Sequence, residues 1–461
     1  MTFKNGGISF WYRDIGTFPE RRPSLSKNIG ADVCIIGAGY TGLWTAYYLK
    51  KSQPSLNIVI LEKEFSGFGA SGRNGGWLTG GFAWEHSKYL QNNDRKSVQK
   101  LVRSLLETVP EVIKFCKDNR IDADIISTSE IRVATNDAQV KRLKHELEVR
   151  KSWGVSEDKV EFIDREALEK IVRIPIGKGA LKMEGVARIQ PAKLVQGLRR
   201  VVEDLGVVIY ESTLVTHYES GLVSTDSFEV QSPIILRTTE GFSADFKNYK
   251  RDLLPLNSAQ IVTKPLSKEI WNQIGWNGNE LIGDYAHSYF YAQKTREGRI
   301  AIGGRGIPYR YGSKTDINGV AQRKTILTLQ RILHKHFPVI SEVPIDHAWC
   351  GTLGVPRDWC ASVNFDRKTG LGWAGGYVGV GVSTSNLAGR TLADLSLKNN
   401  TETTDLPWIN RRVKKWEVEP VRWFGVRSMH KFLEFGDRQE DKKNKSSKVA
   451  DFANYIMGRS H

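Results

Sequence analysis

Asp32-Val33-Cys34-Ile35-Ile36-Gly37-Ala38-Gly39-Tyr40-Thr41-Gly42 is a short apolar run that breaks into a glycine turn, and its reading decides the fold. Leu43, Ala46, Tyr47 and Leu49 follow at helical spacing, and a second apolar run, Ile58-Val59-Ile60-Leu61, ends at Glu62. Strand, glycine turn, helix, strand and terminal acid together form a dinucleotide-binding βαβ unit. A side chain at Gly37 would spoil the turn, and one at Gly39 would keep the backbone from a pyrophosphate facing the helix N-terminus. Glu62 suits two ribose hydroxyls, and its charge repels a 2′-phosphate, which disfavours NADP.

Beyond Glu62 and Lys63 lies a glycine-dense loop, 65–81, with the centre Gly69-Ala70-Ser71-Gly72-Arg73-Asn74-Gly75-Gly76-Trp77. Such density predicts backbone lying against something flat or charged, and Arg73, Asn74 and Trp77 are unusual in a mere linker. A second αβ unit follows at 189–210, where Pro191 opens a helix that ends before Val207-Val208-Ile209-Tyr210. From 256 to 347 the pattern is β-rich, with one amphipathic helix near 320–336. Late in the chain an apolar strand, Leu371-Gly372-Trp373-Ala374, runs into Gly375-Gly376-Tyr377-Val378-Gly379-Val380-Gly381 and another helix. The strand, glycine turn and helix thus occur twice.

Length and composition set the frame. A chain of 461 residues, 40% hydrophobic, is long enough for two domains. No apolar run is long enough to span a bilayer, and the four cysteines lack zinc or disulfide spacing, so a reduced, cytoplasmic protein is expected. Lys and Arg exceed Asp and Glu by 67 to 51, and the net +16 favours anionic partners without choosing among them. The tail from about 407 to 448 interleaves Trp408, Trp416 and Trp423 with Arg411, Arg412, Lys414, Lys415, Arg422 and Arg427. A grip on nucleic acid or anionic lipid is one reading. The preferred one is a helical extension whose tryptophans pack on the body, with Lys442-Lys443-Asn444-Lys445 as a frayed end.

Taken together, these segments resemble the flavin-dependent amine and amino-acid oxidase family that includes D-amino acid oxidase, glycine oxidase and monomeric sarcosine oxidase. The resemblance runs over about 30–396. Through GASGRNGG and GGYVGVGVSTSNLAGRTLADL it is nearest to the γ-glutamylputrescine oxidase type. It implies a Rossmann-type FAD domain assembled from discontinuous segments, α/β in class, with an inserted α+β substrate domain rich in strands. The implied division is FAD domain 30–120, 187–246 and 349–398, substrate domain 121–186 and 247–348, and a basic extension 399–461. By resemblance Gly37, Ala38, Gly39, Tyr40, Thr41, Gly42, Glu62 and Lys63 hold the ADP half of FAD, and Val215 reads adenine through its backbone. Ala70, Ser71, Gly72, Arg73, Asn74, Gly75, Gly76 and Trp77 lie along the flavin. Residues 238–241, Thr238 among them, bring a strand end near the pyrophosphate, and Gly376, Tyr377, Gly379, Gly381, Val382, Ser383 and Thr384 cover the pyrimidine side.

The implied reaction is oxidation of a primary or secondary amine to an imine by hydride transfer to flavin N5, with no metal. His287, Tyr289 and Tyr291 are candidates to take the substrate proton, although each also suits an ordinary structural role. Sarcosine oxidase has a lysine that promotes reaction with oxygen where this chain has Ala301, so the acceptor, O2 or another, stays open. It clamps a carboxylate with a lysine where this chain has Ser383, which points to an amine whose anionic group meets Arg305 instead. Cys350 falls near the position of a covalent flavin link, against the commoner reading of an inert buried thiol. Two rival readings are a flavin enzyme acting on RNA and a non-catalytic FAD-containing binding protein.

Overall fold

The computed structural model describes residues 3–16, 18–83, 85–91, 93–304, 309–316 and 318–458. Three sheets organise them. The nucleotide-binding sheet has the order Ser362–Asp366, Leu371–Gly375, Ile234–Arg237, Val33–Ile36, Ile58–Leu61, Val208–Tyr210. All of these strands run parallel except Ser362–Asp366. Strand alternation explains why the central runs are apolar throughout. Val33, Ile35, Ile58 and Ile60 face a core built with helices Tyr40–Ser52, Pro191–Asp204 and Gly381–Ser396. Cys34, Ile36, Val59 and Leu61 face a four-stranded sheet of Val215–Glu219, Gly221–Thr225, Glu229–Ser232 and Ile29–Gly30.

The helices that follow the two glycine turns cross at very short range. A Cβ on Gly389 would lie 2.7 Å from the Trp44 Cβ and 2.8 Å from the Thr45 amide nitrogen. Glycine is therefore required there by packing.

The large sheet runs Lys4–Asn5, Ile345–Val355, Leu254–Thr263, Ile300–Gly304, Phe290–Lys294, Leu281–Asp284, Ile126–Ala134, Gly179–Arg188, Trp77–Leu78, with Val160–Asp164 also paired to Gly179–Arg188. Leu281–Asp284 lies parallel to Ile126–Ala134, so strands far apart in sequence close one continuous surface. Helix Arg323–His336 buries Ile326, Leu329 and Leu333 against it.

The N-terminal segment contributes an element that sequence patterning did not reveal. Phe10–Asp14 is a short helix whose Phe10, Trp11 and Tyr12 are buried with Phe65, Phe68 and Trp349 between the sheets and the glycine loop.

At the other end, Trp408 and Trp416 are buried and Trp423 is half-buried, and the Trp416 indole donates to the Val355 carbonyl at 2.7 Å. The expected frayed end is instead ordered: helix Val421–Lys443 closes on Asn444 in the left-handed region and turns into Lys448–Met457. No helix among the described residues is long and apolar enough to cross a membrane.

Candidate cofactor and active site

Between the two glycine turns lies a cleft of about 640 Å³. At its early end Gly37 has φ +104°, and a Cβ on Gly42 would lie 2.1 Å from the Gly37 carbonyl and 2.8 Å from Thr238 Oγ1. Thr238 Oγ1 also donates within the turn, 2.9 Å from the Ile36 carbonyl and 3.0 Å from that of Gly37, so the turn is held shut from the neighbouring strand. Gly39 and Tyr40 open the helix at the cleft wall, where the Tyr40 amide donates to Ser71 Oγ at 2.8 Å. Glu62 accepts from the amides of Ala38 and Glu64 at 2.8 and 2.9 Å. Burial nonetheless pushes its carboxyl up to about 7. Lys63, exposed beside it, pairs with Asp245 at 3.7 Å. Val215 begins a strand at the far wall.

The glycine loop divides in two. Gly69, Ala70, Ser71 and Asn74 line the cleft. Gly72, Gly75 and Gly76 are instead required by protein contacts. An added Cβ would lie 2.5 Å from Tyr12 at Gly72, 2.5 Å from Tyr291 at Gly75, and 1.9 Å from Gln293 Nε2 at Gly76, where φ is also +70°. The loop is thus glycine-rich largely because the large sheet and the N-terminal helix converge on it. Asn74 staples the loop, donating to the Ser71 carbonyl and accepting from the Gly76 amide, each at 2.8 Å.

Arg73, expected along the flavin, is held by the protein itself. Its guanidinium, buried, lies 4.3 Å from the Phe68 ring centroid and donates to the carbonyls of Phe68 and Cys350, pinning the loop to strand Ile345–Val355 from below. Trp77 pairs with Arg188 at the sheet edge and sets its ring edge-on to Tyr291.

The late turn meets the early one directly: Tyr377 and Thr41 share a hydroxyl hydrogen bond of 2.9 Å. Gly376 and Gly379 both have positive φ, +79° and +102°. Gly379, Gly381 and Val382 line the cleft, and helix Gly381–Ser396 begins there with no side-chain cap on its first amides. Ser383 and Thr384 are turned away, the first donating to the Thr79 carbonyl and the second to that of Val380. They position the helix, and Ser385 takes the cleft-facing place.

Glu240 lies in the segment 238–241 expected near the pyrophosphate, but its role as a bracket was not legible in the sequence. One of its carboxylate oxygens accepts from the amides of Gly376 and Tyr377 at 3.0 and 3.1 Å, and the other accepts from Gly354 at 2.7 Å. Burial pushes its carboxyl up to about 7 against those three donors. A single side chain thereby ties the end of strand Ile234–Arg237 to both the late turn and the large sheet.

Of the proton-accepting candidates, the structure brings Tyr291 to the loop, with its hydroxyl 3.0 Å from Ser258 Oγ. Tyr289 precedes that strand, its carbonyl near Gly304. His287 takes the structural role: it is buried, its Nε2 lies 3.1 Å from Glu440, and its amide donates to Asp437 at 2.8 Å, so it anchors the C-terminal helices. Ligand atoms of these three lie within 4.8 Å of one another, but Arg142 already donates to Glu440 at 2.8 Å. Arg305 lies outside the described residues. Cys350 fits the commoner reading, an inert buried thiol. Its thiol lies in the core beneath the large sheet, 3.4 Å from the Val320 carbonyl, and burial raises its pKa to about 11.

Known proteins share this plan. Gamma-glutamylputrescine oxidoreductase of Escherichia coli is 26% identical over 388 residues, covering 83% of this chain and 87% of that one. A probable oxidoreductase, OrdL, of Haemophilus influenzae is 27% identical over 406 residues, 85% of this chain and 88% of its own. Among solved structures, glycine oxidase from Geobacillus kaustophilus superposes with a TM-score of 0.67 at 19% identity, over 81% of this chain and 96% of that one. The cleft fits FAD: a turn open to phosphates, an acid at the second strand end, and a second helix N-terminus opposite. The family model for FAD dependent oxidoreductases matches residues 32–395, and this chain belongs to that family as an FAD-dependent enzyme.

Proposed function

We propose that the protein oxidises a small primary or secondary amine, of the amino-acid or polyamine-derivative type, to an imine that water then hydrolyses. The observation that carries this reading is the hydroxyl bond between Thr41 and Tyr377, which closes the early turn against the late one around a single cleft. Gly37, Gly39 and Glu62 hold the ADP half of FAD in this scheme, with Val215 beside adenine. Bound flavin supplies the hydride acceptor.

The chain's own groups do the rest. The uncapped first amides of helix Gly381–Ser396 offer donors and a positive dipole end where negative charge develops. Tyr291 and Ser258, paired by their hydroxyls beside the loop, orient the amine and accept a hydrogen bond from it in its neutral form. The amine class is supported by the names of relatives, gamma-glutamylputrescine oxidoreductase and the sarcosine oxidase beta subunit of Rhodobacter capsulatus, the latter 23% identical over 346 residues.

Anaerobic mixing of the purified holoenzyme with a panel of amines, amino acids and acylated polyamines tests the reading. At least one amine bleaches the flavin absorbance. If dithionite bleaches it and every amine leaves it unchanged, the assignment fails. Oxygen uptake with the active amine then decides the acceptor, and acid precipitation should release the yellow colour into the supernatant, as expected for non-covalent FAD.

A further inference from the structure

The family model ends at residue 395, and the helical hairpin Val421–Lys443 and Lys448–Met457 lies beyond it. One side of the hairpin is firmly docked. Glu440, fully buried, takes Arg142 and His287; Asp441 takes Lys335 and Asn136; and the Gly436 backbone approaches so close to Ala450 that a Cβ there would lie 2.5 Å from the alanine's own. The opposite side is unlike an ordinary solvated face. Phe424, Lys431, Phe435, Arg438 and Lys442 recur at steps of seven, four, three and four residues, which places them on one stripe of the helix. All five are exposed, Phe424 by 60% and Phe435 by 50%. Asp437 and Glu440 point to the other half of the helix by the same spacing, while Glu434, four residues before Arg438, and Asp441, three after it, flank the stripe. The second helix adds Phe452, 56% exposed, and Tyr455, 80% exposed.

We infer that this hairpin seats the enzyme on an anionic lipid surface, with the phenylalanines entering the headgroup boundary and the cations meeting lipid phosphates. An interfacial helix needs an apolar face mixed with cations, which is what the stripe of two phenylalanines and three cations presents. Charge argues against a second copy of the chain as the occupant, since a two-fold contact would set Lys431, Arg438 and Lys442 against themselves. The rigid docking of the buried side means that the exposed side is held out ready-made, with no ordering required on contact.

Flotation of the holoenzyme with phosphatidylcholine vesicles, with and without phosphatidylglycerol, tests this. The protein should float with the anionic vesicles and remain at the bottom with neutral ones. A triple variant Phe424→Ser, Phe435→Ser and Phe452→Ser should lose about tenfold or more of the bound fraction, as should Lys431→Ser, Arg438→Ser and Lys442→Ser. A charge-matched control, Lys51→Ser, Lys117→Ser and Arg367→Ser, should stay within about twofold of the parent. Unchanged flavin spectra and melting temperatures establish that each variant is folded. The inference is overturned if the parent ignores anionic vesicles, if the phenylalanine variant floats like the parent, or if the control loses as much as the stripe variant. It is equally overturned if the stripe variants instead convert a dimer to a monomer, or abolish binding of a single-stranded RNA while vesicle binding is absent.

Discussion

Gly76 and Gly379 both have positive φ, yet they are glycine for different reasons. A methyl group at Gly76 meets Gln293 at 1.9 Å, whereas nothing lies within 4 Å of one at Gly379. Gly76→Ala therefore combines backbone strain with overpacking and should lower stability by about 3 kcal/mol, read in thermal or urea unfolding. Gly379→Ala should cost only about 1 kcal/mol, from backbone strain alone, and show its main effect on FAD retention, because the residue lines the cleft. Equal losses of stability in the two would contradict the division. Glu240 permits a sharper test. Glu240→Ala leaves the amides of Gly354, Gly376 and Tyr377 without their acceptor, each worth about 1 kcal/mol or more, and should weaken FAD binding at least about tenfold in a fluorescence titration. Glu240→Gln keeps an acceptor for only one side of that bracket and should fall between. Parent-like affinity in the alanine variant would remove Glu240 from the site.

Local segments were legible in the sequence and distant partnerships were not. The early turn could be read because strand, glycines, helix and acid occupy about thirty consecutive residues, each constrained by its neighbours. The partner that holds His287 could not be read, because Glu440 lies 153 positions away. Glu240 falls in a segment expected near the pyrophosphate, and only the fold brings three amides to its carboxylate. The same holds for the N-terminal helix Phe10–Asp14. Ser9 Oγ donates to the Gly72 carbonyl and the Trp11 indole to that of Asn74, each at 2.7 Å, so this short element props the cofactor loop from behind. Three successive aromatics were its signal, but nothing local says what they pack on. Removing residues 1–16 should therefore yield protein that purifies with much less FAD and melts several degrees lower than the full chain. A truncated enzyme with full flavin content would show that the loop holds its shape unaided. Tyr377→Phe examines the other brace. Losing the bond to Thr41 should cost about 1 kcal/mol and slow amine-dependent bleaching more than it lowers the melting temperature.

Folding sets opposing titrations across the molecule. Burial pushes Asp284 up to about 7, even though Phe290 donates its amide to the carboxyl at 3.0 Å; Asp437 nearby reinforces the rise and Lys335 opposes it. An acid whose folded pKa lies above its ordinary 3.8 contributes fully below that value and loses its contribution as pH climbs through 7. His336 and His347 run the other way. Burial pushes both down to about 4, so their contribution is present above 6.5 and is lost as pH falls toward 4. The parent's own pH profile mixes these terms, and a comparison with Asp284→Asn separates them. The asparagine keeps an acceptor for Phe290 and cannot ionise. The variant should match or slightly trail the parent near pH 4 and exceed it by pH 8, by on the order of 2 kcal/mol, in urea unfolding followed across that range. His336 Nε2 stands 3.9 Å from the carboxylate, too far for a hydrogen bond. Were the two charged together at neutral pH, the parent would be the more stable protein there, and the sign of the difference at pH 8 against pH 4 would reverse.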